Sequence, residues 1–491
     1  MEKTWTVRVL PQNTQIDIKD GTNLLDVLRR HHSAPETPCG GFGTCGKCKV
    51  LINGTEQLAC QTIVDRDMVV SVQEKPSQEN VLESGLSTSV SMDPARLGYL
   101  LAFDIGTTTV VGYLLDENGK ELSSAGMLNP QKTFGADVIS RIQSSLSGEK
   151  DTITACIREG LNKLTGNIAE KAGVDTQKIG VVAVVGNPCM QQMLLGMSVK
   201  NLATVPFAPS ITKPMIRCAK EIVPLWRNAV LLTPPDISGY VGADTLGCVL
   251  STKMYANDEI TLMVDIGTNG EMVLGNKEHM VACSTAAGPA LEGAKIKFGM
   301  RGALGAIDHV WLSNGKLQCS VIGNGEAKGI CGSGLIDAVA CLLKLGIINA
   351  RGRLETKEER DGERVVYLTD RVYITQNDIR EVQMAKGAIA AGISLLARER
   401  GIQVSQIDAV LLAGAFGNYM DPQSACQIGL LPPELSEKIT AVGNAAGTGA
   451  KMMACSKKEF DLAGKLAEKI KFIELAALPD FQHEFAKNMR F

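Results

Sequence analysis

The sequence has little of several features that mark large classes of protein. Its 491 residues include only five histidines, none in HxxxH spacing, so a catalytic zinc site has no ligand set to build on. The 50 lysines and arginines almost balance the 53 aspartates and glutamates, and the net charge of −3 excludes the basic surface that nucleic acids and anionic membranes require. No apolar run reaches the roughly 18 residues of a membrane-spanning helix. We therefore expect neither a nucleic acid nor a membrane as a partner.

The N-terminus also lacks a targeting signal. Residues 1–11 contain neither the apolar core nor the small-residue cleavage site of a signal peptide, which indicates a cytoplasmic protein. Thiols stay reduced in the cytosol, so the 14 cysteines are not expected to form disulfides. Most of them are scattered without a CxxC pair and are expected to be small buried side chains. The remaining four, Cys39, Cys45, Cys48 and Cys60, lie close together and predict a metal site.

These four cysteines have the spacing C-x5-C-x2-C-x11-C. A close triplet of thiolates with one distant fourth is typical of plant-type [2Fe–2S] ferredoxins, whose potentials lie near about −400 mV. Glycines at positions 40, 41, 43 and 46 allow the backbone to curl round a cluster and to bring N–H donors to its sulfurs. A structural zinc site is the alternative, because Cys45 and Cys48 alone would suit it. The glycine density and the lack of a second CxxC favour the cluster, a low-potential one-electron carrier.

The residues around this loop predict a small sheet. Trp5–Leu10 and Thr14–Ile18 alternate like half-buried strands, and Asn23 is placed to cap a short helix. Further strands are predicted after the loop, at Cys48–Ile52 and Met68–Val72. Hairpin, helix, metal loop and further strands are the outline of a β-grasp ferredoxin.

From residue 98 onward, strand-like runs alternate with helical patterns, which indicates α/β organisation. One pattern occurs twice: an apolar strand runs into Asp104-Ile-Gly-Thr and again into Asp265-Ile-Gly-Thr. Glycine at such a turn lets backbone N–H groups approach phosphate oxygens, and the aspartate can hold Mg²⁺ through water. The repetition predicts two duplicated lobes.

These patterns predict an α/β multidomain protein. We expect a ferredoxin-like domain over 1–75, a polar linker over 76–97 and two lobes over 98–258 and 259–491. A capping box at Thr375–Asp378 predicts a helix that continues to about residue 398 and serves core packing.

The two turns support a resemblance to the superfamily of two-lobed, RNase H-like ATPases that contains acetate and sugar kinases, Hsp70 and actin. Asp104–Thr109 is similar to its first phosphate motif, Asp265–Asn269 to its second, and Val410–Gly417 to its adenosine loop. Ile237–Gly247 and Gly443–Ala450 are similar to its two connecting helices, where small residues let the helices cross closely at the hinge.

The resemblance also implies which residues bind Mg·ATP. Catalytic roles are implied for Asp104 and Asp265. The residues implied to contact the nucleotide are Asp104, Gly106, Thr107, Thr108, Asp265, Gly267, Thr268, Asn269, Gly414, Ala415 and Gly417.

Joined to a [2Fe–2S] ferredoxin, such an ATPase resembles the reductive activators of corrinoid-dependent methyltransferases. Further segments in the likeness are Asn129–Gln131, Phe134–Arg141, Gly186–Asn187, Gly329–Asp337 and Pro479–Phe481. The family implies ATP-dependent transfer of one electron from the cluster to the Co(II) of a corrinoid protein, giving Co(I). It also implies a [2Fe–2S] cluster, ATP and Mg²⁺ as cofactors, an unidentified electron donor and a homodimer.

Three other functions fit the same parts. The chain could activate a non-corrinoid low-potential metalloenzyme, or use ATP to hold a partner as a chaperone does. It could also be a small-molecule kinase with a redox-sensing ferredoxin domain, for which Asp137, Asp244 and Glu271 are candidate catalytic carboxylates. No motif marks an acceptor pocket for such a kinase, so reductive activation is the prediction that we favour.

Overall fold

The structure is a computed structural model that describes residues 3–31, 33–35, 37, 39–41, 43, 46–72, 86, 92–93, 96 and 98–491. Most of the expected linker 76–97 lies outside these residues, and so do Cys45 and the side chain of Ala415. Within the described ranges, no helix combines the length and the apolar character that crossing a membrane requires.

The N-terminal module is a five-stranded sheet packed against one helix. Its elements are β1 (Thr4–Leu10), β2 (Thr14–Lys19), β3 (Thr22–Asn23), α1 (Leu24–Arg30), β4 (Lys49–Ile52), β5 (Thr55–Leu58), β6 (Ile63–Val64) and β7 (Met68–Ser71). The sheet has the order β2-β1-β7-β4-β5, and β3 pairs separately with β6. Val7 and Val9 alternate into a core that Leu28 of α1 also fills. The Asn23 Oδ1 atom accepts a hydrogen bond from Leu25 N at 2.9 Å and caps α1, so the predicted β-grasp outline is confirmed.

The next region is a six-stranded sheet covered by helices on both faces. Its elements are β8 (Tyr99–Ile105), β9 (Thr109–Leu115), β10 (Glu121–Leu128), α2 (Val138–Ser144), α3 (Lys150–Ala172), β11 (Ile179–Gly186), α4 (Pro188–Leu194), β12 (Met215–Cys218), β13 (Val230–Thr233) and α5 (Ala243–Thr252). The strand order is β10-β9-β8-β11-β13-β12. Leu101 and Phe103 of β8 pack on the α3 side, whereas Leu100 and Ala102 pack on the α5 side. Burial on both faces explains why β8 is a continuous apolar run.

The C-terminal region repeats this plan with a second six-stranded sheet. Its elements are β14 (Thr261–Ile266), β15 (Gly270–Gly275), β16 (Met280–Thr285), β17 (Ala306–Ser313), β18 (Lys316–Val321), β19 (Gly329–Ile330), α6 (Gly332–Lys344), β20 (Glu359–Arg360), β21 (Glu363–Tyr367), β22 (Tyr373–Thr375), α7 (Gln376–Arg400), β23 (Ala409–Ala413), α8 (Gly414–Tyr419), α9 (Pro422–Gln427), β24 (Ile439–Gly443), α10 (Ala445–Cys455), α11 (Lys457–Lys469), β25 (Ile470–Phe472) and α12 (Phe481–Asn488). The large sheet has the order β24-β23-β14-β15-β16-β25, and two three-stranded sheets, β18-β17-β19 and β20-β21-β22, accompany it. The predicted capping box is present at Thr375, where Asp378 N donates to Thr375 Oγ1 at 3.1 Å and begins α7. The two-lobed ATPase fold is confirmed.

Helices α5 and α10 lie between the two large sheets and form their shared core. Ala102 of β8 and Met263 of β14 both belong to this core. The helices cross so closely that a Cβ atom at Gly449 would lie 2.3 Å from the carbonyl oxygen of Gly247. The prediction of small residues at this crossing is therefore confirmed.

The first connecting helix begins later than the sequence pattern predicts. It covers Ala243–Thr252 rather than residues 237–247. Residues 237–242 precede it as a turn, in which the N–H groups of Ile237 and Ser238 both donate to Val241 O.

Candidate functional site

The cysteine loop lies between α1 and β4. Cys48 is buried, and its Sγ atom lies 3.2 Å from Sγ of Cys60. Two hydrogen bonds to the backbone position this pair: Asn23 Nδ2 donates to Cys60 O at 2.9 Å, and Ala59 N donates to Cys48 O at 2.9 Å. Cys39 is half-buried in the same loop.

Glycine shapes the loop as the spacing predicts. The φ angles lie between +63° and +96° at Gly40, Gly41, Gly43 and Gly46. A Cβ atom at Gly41 would lie 2.8 Å from Leu25 Cδ2, so no larger residue fits there without a shift. The described residues, which omit Cys45, contain no group of three or more Cys, His, Asp or Glu side chains arranged to hold a metal ion. Thiol donors in a left-handed glycine loop nevertheless match the chemistry of an iron–sulfur site.

The first phosphate motif lies in the turn between β8 and β9. Its three consecutive carbonyl oxygens are all held from neighbouring segments. Asn129 Nδ2 donates to Gly106 O at 2.8 Å and Asn129 N donates to Thr108 O at 2.9 Å. Arg141 Nη2 donates to Thr107 O at 2.5 Å. Asn129 and Arg141 are fully buried. Their support of the motif gives a structural reason why the segments 129–131 and 134–141 belong to the family likeness.

The second phosphate motif lies in the equivalent turn between β14 and β15. This turn is closed by a hydrogen bond from Gly267 N to Asn269 O at 2.9 Å. Asp265 pairs in register with Ala413, so the end of β23 brings the predicted adenosine loop beside it. A Cβ atom at Gly414 would lie 2.5 Å from Asp265 Oδ1. The glycine is therefore needed for this close approach.

Gly417 has a packing role in the structure. A Cβ atom there would lie 3.0 Å from Leu412 Cβ, so Gly417 lets α8 fold back on the strand that precedes it.

Three half-buried carboxylates lie together between the two lobes. Desolvation, with repulsion from Asp244 and Asp265, raises the pKa of Asp104 to about 7. Desolvation and the charge of Asp265 raise the pKa of Asp244 to about 7, and desolvation raises the pKa of Asp265 to about 6. Neighbouring carboxylates repel one another when ionised, and a divalent cation between them stabilises the ionised forms. Mg²⁺ prefers oxygen ligands, so the cluster has the chemistry of a magnesium site.

Three further residues lie near this cluster, and two of them, Asp236 and Asn444, were not predicted from the sequence. Desolvation, followed by the charge of Asp244, raises the pKa values of Asp236 and Glu271. Asn444 caps α10 through a 2.7 Å hydrogen bond from Gly447 N to its Oδ1 atom, and it also hydrogen-bonds to Asp104. Asn444 lies in a segment, 443–450, that the resemblance included for its small residues, whereas Asp236 lies just before the other segment, 237–247.

Asp137 is not part of this cluster. Its side chain accepts a hydrogen bond from Ser140 N at 2.7 Å and caps α2. A catalytic role for Asp137 as the base of a kinase is therefore not supported, because its carboxylate is used in the capping box.

The two phosphate motifs are joined by a residue that the sequence analysis missed. Glu292 accepts a hydrogen bond from Thr108 Oγ1 at 2.7 Å on one carboxylate oxygen and from Thr268 Oγ1 at 2.5 Å on the other. Its turn is held against α6, where a Cβ atom at Gly332 would lie 1.9 Å from Leu291 O. The sequence contains only a weak signal for Glu292. The neighbouring segments Gly288-Pro289 and Gly332-Ser-Gly334 are equally typical of ordinary turns and of a nucleotide contact.

We expect Glu292→Gln to bind nucleotide more tightly. The Glu292 carboxylate accepts hydrogen bonds from the two hydroxyl groups that the family resemblance assigns to phosphate, and it adds negative charge beside them. A hydrogen bond to a charged group contributes about 1.5–3 kcal/mol, so Kd for ADP and for AMPPNP should fall roughly tenfold in calorimetric titration. Glu278→Gln, at an exposed position of the same lobe, is the control. Weaker binding by Glu292→Gln would show that Glu292 helps to hold the nucleotide's cation.

The raised pKa values predict that cation binding displaces protons. Asp104 and Asp244 are partly protonated near pH 7, and a bound Mg²⁺ requires them ionised. Titration of Mg·ADP in two buffers of different ionisation enthalpy should show proton release at pH 6.5 that vanishes above pH 8.5. The affinity should rise with pH over the same interval. Asp104→Asn should release fewer protons than the parent when Mg·ADP binds. An equal release would contradict the assignment of Asp104 as a cation ligand.

Three domain families match consecutive parts of the chain. Residues 7–69 match a 2Fe-2S iron-sulfur cluster binding domain, residues 99–257 match the RACo middle region, and residues 259–491 match the C-terminal domain of RACo, the ASKHA domain. The first match supports a [2Fe–2S] cluster, and the third supports ATP binding.

Individual relatives agree with these matches. The chain is 38% identical over 419 residues to the corrinoid activation enzyme RamQ of Eubacterium limosum, covering 80% of this chain and 70% of that protein. It is 26% identical over 407 residues to the [Co(II) methylated amine-specific corrinoid protein] reductase of Methanosarcina barkeri, covering 76% and 73%. Among solved structures, a reductive activator for corrinoid, iron-sulfur protein superposes with a TM-score of 0.74 at 28% identity, covering 99% of this chain and 98% of that one. With its ferredoxin module, its two lobes and this likeness over most of its length, the chain belongs to the family of reductive activators of corrinoid proteins.

Proposed function

We propose that this protein uses ATP to drive the reduction of a corrinoid protein in a methyltransferase system. The observation that carries the proposal is the presence, in one chain, of a ferredoxin cysteine loop and of a carboxylate-lined cleft between two ATPase lobes. A ferredoxin alone would transfer electrons only downhill, and an ATPase alone would transfer none.

Nucleotide binding is assigned to the cleft. Asp104 and Asp265 hold Mg²⁺, with Asp244 nearby to balance its charge. Phosphate oxygens contact the turns that contain Gly106, Thr107 and Thr108 in the first lobe and Gly267, Thr268 and Asn269 in the second. Support comes from the raised pKa values of the three aspartates and from the two threonine hydroxyls that already bind an anionic group, the Glu292 carboxylate.

The redox step moves a single electron. When bound, the [2Fe–2S] cluster supplies one-electron transfer, with Cys39, Cys45, Cys48 and Cys60 as its ligands. A low-potential one-electron donor supplies the electron, and the Co(II) of the corrinoid protein, which is the substrate, accepts it and becomes Co(I). For one electron, each 59 mV by which the corrinoid is harder to reduce than its donor lowers the equilibrium constant about tenfold. Closure of the lobes around ATP, followed by hydrolysis, offsets this deficit.

The proposal has a direct anaerobic test. The protein reduced with Ti(III) citrate is mixed with a Co(II) corrinoid protein, with and without Mg·ATP, and Co(I) absorption is followed. We expect Co(I) to accumulate faster and further with ATP, and AMPPNP to give no sustained turnover. Equal Co(I) formation with and without ATP would overturn the coupling.

The setting of this activity is proposed on the same basis. We place the protein in the cytoplasm, as a homodimer, with an electron donor still to be identified. Copurification from cell extract on an immobilised, reduced protein would identify the donor, and recovery of a different metalloenzyme in place of a corrinoid protein would favour the wider class of low-potential activases.

A further inference from the structure

One arginine joins the ferredoxin module to the first lobe. Arg29, in the last turn of α1, is only 7% exposed. Its Nε atom donates to Thr133 O at 2.8 Å and its Nη2 atom donates to Gly40 O at 2.8 Å, so one guanidinium connects the lobe to the cysteine loop. Thr37 completes the contact, because its Oγ1 atom donates to Thr133 O and accepts from Arg29 Nη2 at 3.3 Å.

This interface is polar and therefore suited to reversible contact. Burial lowers the pKa of the Arg29 guanidinium, and the carbonyl acceptors and the ring of Phe134, 4.9 Å from the guanidinium carbon, compensate for the lost water. Asp26, 3.6 Å away in the same helix, stays with Arg29 if the two modules separate. Interfaces between domains of one chain resemble transient protein–protein contacts, so relative motion of the two modules is the default expectation.

The turn that Arg29 contacts is also part of the support of the first phosphate motif. Residues 130–134 form a single 3₁₀ turn that begins at Asn129, whose Oδ1 atom accepts from Gln131 N at 2.9 Å. The same asparagine side chain donates to Gly106 O. Arg141 repeats the link, because its Nε atom donates to Gly135 O at 2.9 Å while its Nη2 atom holds Thr107 O. A shift of the motif must therefore move the turn.

We infer that Arg29 docks the ferredoxin module on lobe I, and that nucleotide binding at the first phosphate motif releases this contact. The inference rests on the proposed nucleotide site and adds to it an interaction surface, made of Arg29 and Thr37 on one side and of residues 133–134 on the other. Docking holds the cysteine loop against the lobe. Release frees that loop to meet a corrinoid protein only after ATP has bound.

Thermodynamic reciprocity makes the inference measurable without any redox activity. If nucleotide weakens docking, then loss of docking must strengthen nucleotide binding by the same factor. Coupling between sites commonly amounts to about fivefold or more. Arg29→Ala should therefore bind Mg·AMPPNP about fivefold more tightly than the parent protein.

The experiment combines calorimetric titration of Mg·AMPPNP with small-angle X-ray scattering of the full chain. The parent protein should show a larger radius of gyration with the nucleotide than without it. Arg29→Ala should be expanded already and should not change on addition of AMPPNP. Arg30→Ala, the exposed neighbour in the same helix, is the matched control and should behave like the parent. If Arg29→Ala fails to fold its ferredoxin module, judged by the visible spectrum, Thr37→Val tests the same contact.

The outcomes separate this inference from the proposed function. No binding of AMPPNP to the parent protein would overturn the nucleotide site itself. Binding with the same Kd and the same radius of gyration in Arg29→Ala, Thr37→Val and the parent would overturn the docking inference alone.

Discussion

Cys48→Ser is expected to lose visible iron–sulfur absorption and all measurable Co(I) formation while it keeps ATP hydrolysis. Cys48 is buried and its sulfur lies 3.2 Å from that of Cys60, so the substitution would replace a thiolate inside the loop by a hydroxyl, which binds iron less well. The lobes have their own cores and do not depend on this side chain. The loss of the cluster should therefore be confined to the ferredoxin module.

Three measurements test this expectation together: iron content, visible circular dichroism and hydrolysis of ATP. Cys218→Ser is the matched control, because Cys218 is an exposed cysteine outside the loop. A Cys48→Ser protein that retained both its spectrum and its reduction rate would contradict the cluster assignment. Stoichiometric zinc in the parent protein, with no iron after anaerobic reconstitution, would support the structural zinc alternative.

Asp265→Asn is expected to reduce ATP hydrolysis, and the ATP-dependent part of Co(I) formation, by about 100-fold or more. The substitution preserves the shape that Gly414 packs against but removes one charge from the carboxylate cluster. Removal of a single preorganised electrostatic contact to a transition state commonly lowers turnover by about 10²–10³. The cluster spectrum should not change, because Asp265 lies in the second lobe and not in the ferredoxin module.

The matched control is the same Asp-to-Asn substitution seven residues earlier, outside the carboxylate cluster. Asp258 forms an exposed ion pair with Lys277 at 2.6 Å, so Asp258→Asn should leave hydrolysis within about twofold of the parent, as exposed pairs contribute little. Steady-state hydrolysis and Co(I) absorption are measured on both variants. Hydrolysis by Asp265→Asn at the parental rate would show that Asp265 is not catalytic. It would also contradict the proposal that both Asp-Ile-Gly-Thr turns take part in nucleotide binding.

Sequence patterns were sufficient wherever the determining interaction is local. Alternating residues indicate β1 and β2, Asn23 indicates the start of α1, and the capping box at Thr375 indicates the start of α7. The first connecting helix shows the limit of this approach. Its small residues were recognised, yet its start was predicted six residues early, since nothing local distinguishes the turn at 237–242 from a helical end.

Two of the residues that the sequence did not indicate, Glu292 and Arg29, act over long separations in the chain. Glu292 joins threonines that are 184 and 24 residues away, and Arg29 contacts a carbonyl 104 residues away. Neither has a neighbouring residue that marks its partner, because each belongs to an ordinary turn or helix end. Only packing of the elements shows which charges become buried together.

The sequence by itself determined the cysteine spacing that predicts the cluster ligands, the two Asp-Ile-Gly-Thr turns and the family. These features are recognised from residue types at a fixed spacing. The spacing is short because a metal loop or a phosphate-binding turn is built from residues that are close in the sequence. The tertiary structure alone decided that Asp104, Asp244 and Asp265 share one cleft, that Glu292 joins the two turns, and that Arg29 ties the cysteine loop to the turn behind the first motif. The physical reason is that electrostatic repulsion, desolvation and hydrogen bonding depend on distance in space, and distance along the chain does not specify it.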